Sequence, residues 1–582
     1  MCGIIGYTGD AEATPILIAG LRALEYRGYD SAGIALAGGG RLRAIKSVGR
    51  IDALAEKAAG ADAAGTCGIG HTRWATHGCP TENNCHPHLS YGGRFAVVHN
   101  GIIENCDALR KLCESAGVTP RGDTDSELIA HLLELEYDGD PVAALRRVAA
   151  RLRGSYALGV LCADFPREIY AAKMRSPLII GLGDGAACLS SDGGAMPECV
   201  NRLAVLADGQ EARLTPGCAE VYERGRPVAG EFVRCQSSRV AAGLSGYPHY
   251  MLKEMCEQPE AIARTVADEC KSSRPALPRA GVTLIGCGSS YHAALACAPL
   301  VERVTGCRAE VRLASEYICS ERVREHGRHC VLLSQSGETA DTIAAAEEAE
   351  RRGCRTLAIV NVYASTLTRV CDSFLCTRAG PEISVATTKG FTTQVGALAR
   401  LAADSDPAFA RELKSLPFAA EEALAAAEKT AEYAGRFARA KCAFFVGRKT
   451  DYGAALEGAL KLKEITYVPA LGIAAGELKH GSISLIEKGT PVVMICTDPA
   501  LEDKAVLSAA SVRSRGAFVL AVTTCVRVAE ACDGAVMLPR VHPLLSAAVS
   551  VIPLQRLAYE TALLLGRDID KPRNLAKSVT VE

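Results

Sequence analysis

Cys2, directly behind the initiator methionine and before the small residue Gly3, is the first residue placed to do chemistry. Removing Met1 frees an α-amino group, of pKa about 7.7 to 8, on the residue that carries the thiol, so one residue supplies both nucleophile and general base for attack on an amide. With 25 cysteines in 582 residues, a buried structural thiol is the ordinary use of this side chain, so Cys2 needs companions. They occur in the runs Gly70-His71-Thr72-Arg73-Trp74-Ala75-Thr76-His77-Gly78 and Val97-Val98-His99-Asn100-Gly101. Asn100 and Gly101 follow an apolar strand and offer a side-chain amide and a backbone N–H to a developing oxyanion, which can lower an acyl-transfer barrier by about 3 kcal/mol; Asn-Gly is also a common hairpin turn. Arg73 can hold a carboxylate as a fork or serve a surface ion pair, and Asp125 can accept an α-ammonium. Together these describe a site for a free amino acid.

Other groups point to a phosphorylated substrate. Ser334-Gln335-Ser336-Gly337-Glu338-Thr339-Ala340-Asp341-Thr342 follows the apolar Val331-Leu332-Leu333 and opens a helical pattern running to Arg352. A hydroxyl-rich loop at a helix N-terminus turns free N–H groups and the positive dipole end toward a phosphate, with no lysine or metal, which suits a monoester that is held and not transferred. The ordinary alternative is a Ser/Thr-capped helix, for which two serines and two threonines are excessive. No G-x-x-x-x-G-K-[ST] run for a nucleotide occurs. Glu457, Lys461 and Glu464 repeat at i, i+4 and i+7 on one helix face, either to move protons between adjacent carbons or as a solvated ladder of ion pairs. His71, His77, Cys79, Cys85, His86 and His88 lie within eighteen residues, but their spacing matches no zinc finger or ribbon.

These residues need a scaffold. A chain of 582 residues exceeds one domain, and 48% hydrophobic with 23% charged residues is a globular composition. Lys plus Arg (65) balance Asp plus Glu (66), leaving no summed field for nucleic acid or an anionic membrane surface. No apolar run spans a bilayer and the start lacks a signal-peptide pattern, so a cytoplasmic protein with reduced cysteines is expected. Residues 1 to about 235 mix short apolar strands, Gly-rich turns and two or three helices, one over Asp125 to Leu135, as in an α+β layered domain. Gly243 to Pro248 carries turn residues and marks a boundary. Beyond it, apolar strands at Val282–Gly286, Val331–Ser334, Leu357–Asn361, Cys442–Gly447, Val492–Cys496 and Phe518–Val522 alternate with helices, which means parallel sheets covered on both faces. Strand–turn–helix patterns at Ile285 and Val446 recur 161 residues apart, a duplication. Pro407 and Pro417, around Arg411-Glu412-Leu413-Lys414, read as the connection between the copies, and Lys571 to Glu582 as a tail or docked loop.

The strings Met1-Cys2-Gly3-Ile4-Ile5-Gly6, Glu25 to Gly33, His71 to Gly78 and Asp123-Thr124-Asp125-Ser126-Glu127 resemble the glutamine amidotransferase domain of the N-terminal-nucleophile type, whose fold is αββα. The loop from Ser334, with Cys287 to Tyr291 and Val385-Ala386-Thr387-Thr388-Lys389, resembles a sugar isomerase (SIS) domain. Ala475-Gly476-Glu477-Leu478-Lys479-His480-Gly481 and the terminal Asp570 to Glu582 extend the resemblance to the isomerising glutamine:fructose-6-phosphate aminotransferase family over the whole chain. The resemblance implies a glutaminase domain over 1–240, α/β SIS domains with parallel sheets over 241–420 and 421–570, and a tail, 571–582, closing over the sugar. It also implies roles: Cys2 the nucleophile; Asn100 and Gly101 the oxyanion hole; Arg73, Thr76, His77 and Asp125 the glutamine ligands; Trp74 a gate. Ser290, Ser334, Gln335, Ser336 and Thr339 would hold a 6-phosphate, with Val385 and Thr387 along the sugar. Glu464 would be the isomerising base, Lys461 its assistant, His480 the ring opener entering from a neighbouring subunit of a homodimer, and Lys577 the imine-forming amine. Neither cofactor nor metal is implied, and the substrates would be glutamine and fructose 6-phosphate, in amino sugar biosynthesis (the hexosamine pathway).

Leu471, where the family usually has Glu, and Ser482, where it usually has Pro, depart from the pattern and bear on interdomain packing more than on chemistry. Two rival readings are open. Another amidotransferase of this thiol type would need a diphosphate or ATP site, and a phosphosugar-sensing SIS regulator would need neither Cys2 nor Glu464.

Overall fold

The computed structural model of the chain describes residues 2–25, 28–74, 79, 81–234, 244–267, 281–321, 325, 327–363, 365–403 and 406–579. They fall into two compact units, residues up to 234 together with 578–579, and residues 244–577. The domain boundary read near 240 lies outside the described residues, as do Thr76 and His77.

The alternation of side chains along a strand builds the first unit in layers. Along Gly3–Thr8, Ile4 enters an apolar core with Ile69, Ala96 and Val98 between two sheets, while Ile5 turns to the opposite face and packs with Leu17 and Leu21 of the Ala13–Leu24 helix. The first sheet has eight strands, in the order 233–234, 200–205, 179–183, 186–190, 3–8, 67–73, 31–38, 41–48; the second has seven, in the order 226–228, 218–223, 210–215, 169–174, 154–162, 95–103, 88–89. The assigned pairings in both are antiparallel. Helices 13–24 and 51–59 cover the first sheet, and helices 106–115, 125–135 and 141–149 cover the second, an α/β/β/α sandwich. These five helices exceed the two or three read from the sequence, because three of them are only nine or ten residues long, too short for a helical period to repeat clearly. The 125–135 helix has the limits expected, with Thr124 as its N-cap.

The second unit holds two parallel five-stranded sheets with the same strand order, second, first, third, fourth, fifth. They run 309–313, 282–286, 329–333, 355–360, 373–376, and 470–474, 443–447, 491–496, 518–523, 534–537. This is the duplication the sequence reading expects. Gly453 lets the two copies meet: a Cβ there would lie 2.7 Å from Ala296 Cβ and 2.8 Å from the His292 carbonyl oxygen, so the Thr450–Thr466 helix can lie against the Gly288–Thr305 helix only without a side chain. Pro407 and Pro417, read as marking the connection between the copies, both lie in a 21-residue helix, Pro407–Ala427. Pro407 occupies the first turn, where its missing N–H costs nothing, behind the N-cap Asp406, and Pro417 forfeits a single helical bond in a helix whose Leu413, Leu416, Ala420 and Ala423 are buried in the core. No described helix is long and apolar enough to cross a membrane.

Candidate functional site

Strand pairing brings the first site together. Gly3 lies opposite Thr72, and the Thr72 and Ser191 hydroxyls accept from the Gly3 and Ile4 N–H groups, so the chain start is held against strand 67–73. The Trp74 N–H points at Cys2 Sγ at 3.4 Å, and the thiol lies 3.6 Å from the Trp74 carbonyl oxygen. Asn100, at the end of the 95–103 strand, donates its amide Nδ2–H to the Cys2 carbonyl oxygen at 3.0 Å. Gly101 follows with φ +130°, and a Cβ there would lie 2.0 Å from the Ser155 carbonyl oxygen, so only glycine turns its N–H this way. Arg73 and Asp125 are 4% and 8% exposed. Asp125 is fixed by the Ile103 N–H at 2.9 Å and the Ser126 hydroxyl at 3.1 Å. Burial pushes the Cys2 thiol up, against the pull of nearby positive charge that includes Arg73. A thiol held protonated needs a base at the moment of attack, the role expected of its own amine. Trp74 is half-buried, its ring edge-on to Tyr29 at 5.6 Å.

Three described histidines of this unit make internal contacts. His71 and His86 stack at 4.1 Å, His86 Nδ1 accepts from the His99 N–H at 3.3 Å, and His88 Nε2 lies 3.1 Å from the Thr124 hydroxyl. Burial first, and neighbouring charge after it, holds His86 and His88 well below the usual imidazole range. Cys85 is buried with its thiol 3.1 Å from the Thr81 carbonyl oxygen, whereas Cys79 is exposed. Among the described residues no group of three or more His, Cys, Asp or Glu is arranged to hold a metal ion.

The second site sits at the carboxyl ends of the first parallel sheet. Beyond strand 329–333, Ser334 Oγ lies 3.1 Å from Thr339 Oγ1 and accepts from the Gly337 N–H at 3.0 Å; Ser336 accepts from the Glu338 N–H at 3.1 Å. Thr339 stands at the N-cap position of helix 340–351, yet its side chain makes no capping bond there. Thr387 donates to Glu382 Oε2 at 2.6 Å, and the space above Gly390 is shared by Thr387, Glu382 and Gln335. Into this cluster comes Lys577: its amine donates to Glu382 Oε2 at 2.6 Å and to the Ser384 carbonyl oxygen at 2.8 Å, with its side chain 4% exposed. Attractions from Lys577 and hydrogen bonds from Thr387 and Gly390 outweigh burial and hold the Glu382 carboxyl at about 2. The tail is anchored on the way in, because Asp570 accepts from the N–H groups of Tyr250 and Met251 at 2.8 Å each and its carbonyl from the Val385 N–H.

Helix 450–466 completes this unit's polar centre. Lys461 lies 3.2 Å from Glu457 and 2.7 Å from Glu464, and Glu457 also accepts from Ser289 at 2.8 Å and meets His292 Nδ1 at 2.9 Å. Lys461 and Glu457 are 1% and 0% exposed, so the solvated-ladder alternative is overturned: the ions face the other copy of the fold, not water. Against burial, the two carboxylates push the Lys461 amine up, keeping it an ammonium. Ser290, next to Ser289, accepts from Gln394 at 3.0 Å. His480 is exposed at the end of the 477–479 turn, and among the described residues no hydrogen bond joins its ring to this cluster. Sequence reasoning passed over Glu382, Glu254 and His292; their partners lie 195, 129 and 165 residues away, and Glu382 precedes the matched Val385 run by only three positions.

Fold and sites together define a glutamine amidotransferase joined to a pair of SIS domains. Residues 71–196 match the glutamine amidotransferase domain family, and residues 280–403 and 436–565 each match the SIS domain family. The chain is 46% identical over 609 residues to the glutamine–fructose-6-phosphate aminotransferase (isomerizing) of Symbiobacterium thermophilum and 43% identical over 605 residues to that of Thermus thermophilus, with all of both chains covered in each case. Among solved structures, the C-terminal domain of glucosamine-fructose-6-phosphate aminotransferase from Francisella tularensis is 33% identical, with a TM-score of 0.54, over 57% of this chain and 100% of that one. The tagatose-6-phosphate ketose/aldose isomerase of Escherichia coli, 20% identical with a TM-score of 0.50 over 56% of this chain and 96% of that one, shares the fold alone. The chain belongs to the isomerizing glutamine–fructose-6-phosphate aminotransferase family.

Proposed function

We propose that the protein converts fructose 6-phosphate and glutamine to glucosamine 6-phosphate and glutamate. Cys2, with its freed amine as base, attacks the glutamine side-chain amide while Asn100 and Gly101 take the oxyanion; ammonia leaves and water hydrolyses the thioester. Arg73, Thr76, His77 and Asp125 hold the amino acid end of glutamine. In the second unit Ser290, Ser334, Gln335, Ser336 and Thr339 hold the 6-phosphate, with Val385 and Thr387 along the sugar. Lys577 forms an imine at C2 with loss of water, ammonia displaces the lysine, and Glu464 moves a proton from C1 to C2 beside the positive Lys461. Ammonia must stay unprotonated between the units, so a dry passage gated by Trp74 belongs to this reading. So do the domain limits at 240, 420 and 570, and a homodimer in which exposed His480 opens the sugar ring of a second copy.

The observation that carries the reading is the buried terminal lysine, held by a carboxylate beside a hydroxyl-lined anion loop. A hydrolase of glutamine alone or a phosphosugar sensor has no use for it. Incubation with glutamine and fructose 6-phosphate tests the reading: glutamate and amino sugar in equal yield are expected. Glutamate alone would show an orphan glutaminase, and neither product a sensor.

A further inference from the structure

Among the polar groups that the mechanism above does not use, His71 is fully buried in strand 67–73 and reaches across to the second sheet. Its Nε2 lies 2.9 Å from the His99 carbonyl oxygen and 3.1 Å from Asn100 Oδ1. Both are acceptors, so Nε2 carries the hydrogen and donates to the two. The other ring nitrogen, Nδ1, is buried without a hydrogen-bond partner among the described residues, as a bare imine nitrogen against the stacked His86 ring. Burial pushes the ring down to about 3, which agrees with a neutral imidazole of one tautomer.

The consequence falls on Asn100. The two ends of a carboxamide have nearly the same shape, so only their partners decide which way it faces. With Oδ1 bound by the His71 N–H, Nδ2 must face Cys2, and it does, donating to the Cys2 carbonyl oxygen. A flipped amide would present an oxygen lone pair to the oxyanion it is meant to stabilise. Resting on the proposed glutaminase reaction, we infer that His71 is a positioning residue that locks the Asn100 amide with its N–H₂ toward the reacting carbonyl.

Removing an oxyanion donor costs about 100- to 1,000-fold in kcat; losing only its orientation should cost less. His71→Phe, which keeps a flat ring but no donor, is expected to lower glutaminase kcat by about 10- to 100-fold with KM within about 3-fold. His71→Gln, which can still donate to Asn100, should recover most of the loss. Alkylation of Cys2 by iodoacetamide forms a carbon–sulfur bond as iodide leaves and passes through no oxyanion, so its rate should stay within about 2-fold of the unaltered enzyme. On an Asn100→Ala background there is no amide to orient, and His71→Phe should add nothing. Unchanged kcat in His71→Phe, an equal fall in the alkylation rate, or a further loss on the Asn100→Ala background would each overturn the assignment. The unaltered protein offers a test that needs no variant: nitrogen-15 resonances of His71 should report hydrogen on Nε2, and hydrogen on Nδ1 would refute it. If the unaltered enzyme releases no glutamate from glutamine, the glutaminase reading itself falls; glutaminase present but indifferent to His71 sinks this inference alone.

Discussion

In the proposed reaction Cys2 and Lys577 carry the two covalent steps, and their surroundings pull in different directions. Burial keeps the Cys2 thiol protonated, so the adjacent amine must act at the moment of attack. Cys2→Ala should therefore lower glutamine-dependent synthesis by about 1,000-fold or more while synthesis from added ammonium salts persists; glutamate release that survives would refute the thiol assignment. Lys577→Arg can keep the ion pair with Glu382 but cannot form an imine, so amino sugar formation should fall to the assay floor with either nitrogen source. A third residue reports through pH. Burial first, and Glu382 after it, pushes the buried Glu254 up to about 8, although Lys577 and Lys389 pull it down. The folded chain thus keeps a proton that the unfolded chain, with an ordinary carboxyl pKa of about 4.3, has lost. Stability from this group is complete below about pH 4 and is lost as pH rises through about 8. Glu254→Gln carries no such proton, so its urea midpoint should fall less between pH 5 and 8 than that of the unaltered protein. Parallel pH slopes would show that the carboxyl is ionised in the fold.

At the scale of strands and helices, the contact at Gly453 is the close approach that joins the two copies of the second unit. Gly453→Ala should force the 288–305 and 450–466 helices apart, cost about 1 to 3 kcal/mol, and weaken synthesis with little effect on glutamine hydrolysis, because the Glu457–His292 and Glu457–Ser289 bonds cross the same seam. Urea denaturation and the two assays read this directly. Six strands of the second unit were legible as apolar runs, with limits within about three residues of those observed, because a strand buried on both faces has little freedom in composition, whereas the partly exposed strands 309–313, 373–376, 470–474 and 534–537 were not read. The Asp125 helix was legible for a different reason, its Thr124 cap and acidic first turn. The 407–427 helix was not, since two prolines and a charged run hide its helical pattern until the buried apolar face is seen. Of the proposed site residues, Cys2, Asn100 and Gly101 stand out by type and spacing. Glu382, Glu254 and His292 do not, because each acquires its meaning only from a partner more than a hundred residues away.

For the molecule as a whole, the sequence reads as three modules plus a tail, but its interior is divided differently. One apolar core includes Met251, Leu284 and Leu398 of the first SIS copy, Phe445 and Leu554 of the second, and Ile569 of the segment leading to Lys577. Each copy also has a smaller core of its own on the other face of its sheet, with Ile285, Leu332 and Ala358 in the first and Phe444, Val492 and Val519 in the second, but the shared core joins the facing sides, so neither copy can unfold without stripping the other's packing. Scanning calorimetry should accordingly show no more than two heat-absorption peaks, one for each compact unit; a third peak would mean that the SIS pair melts piecewise. Gene duplication here has produced twins that hold one core in common, and a protease cut in the segment between the copies should release no half that stays folded.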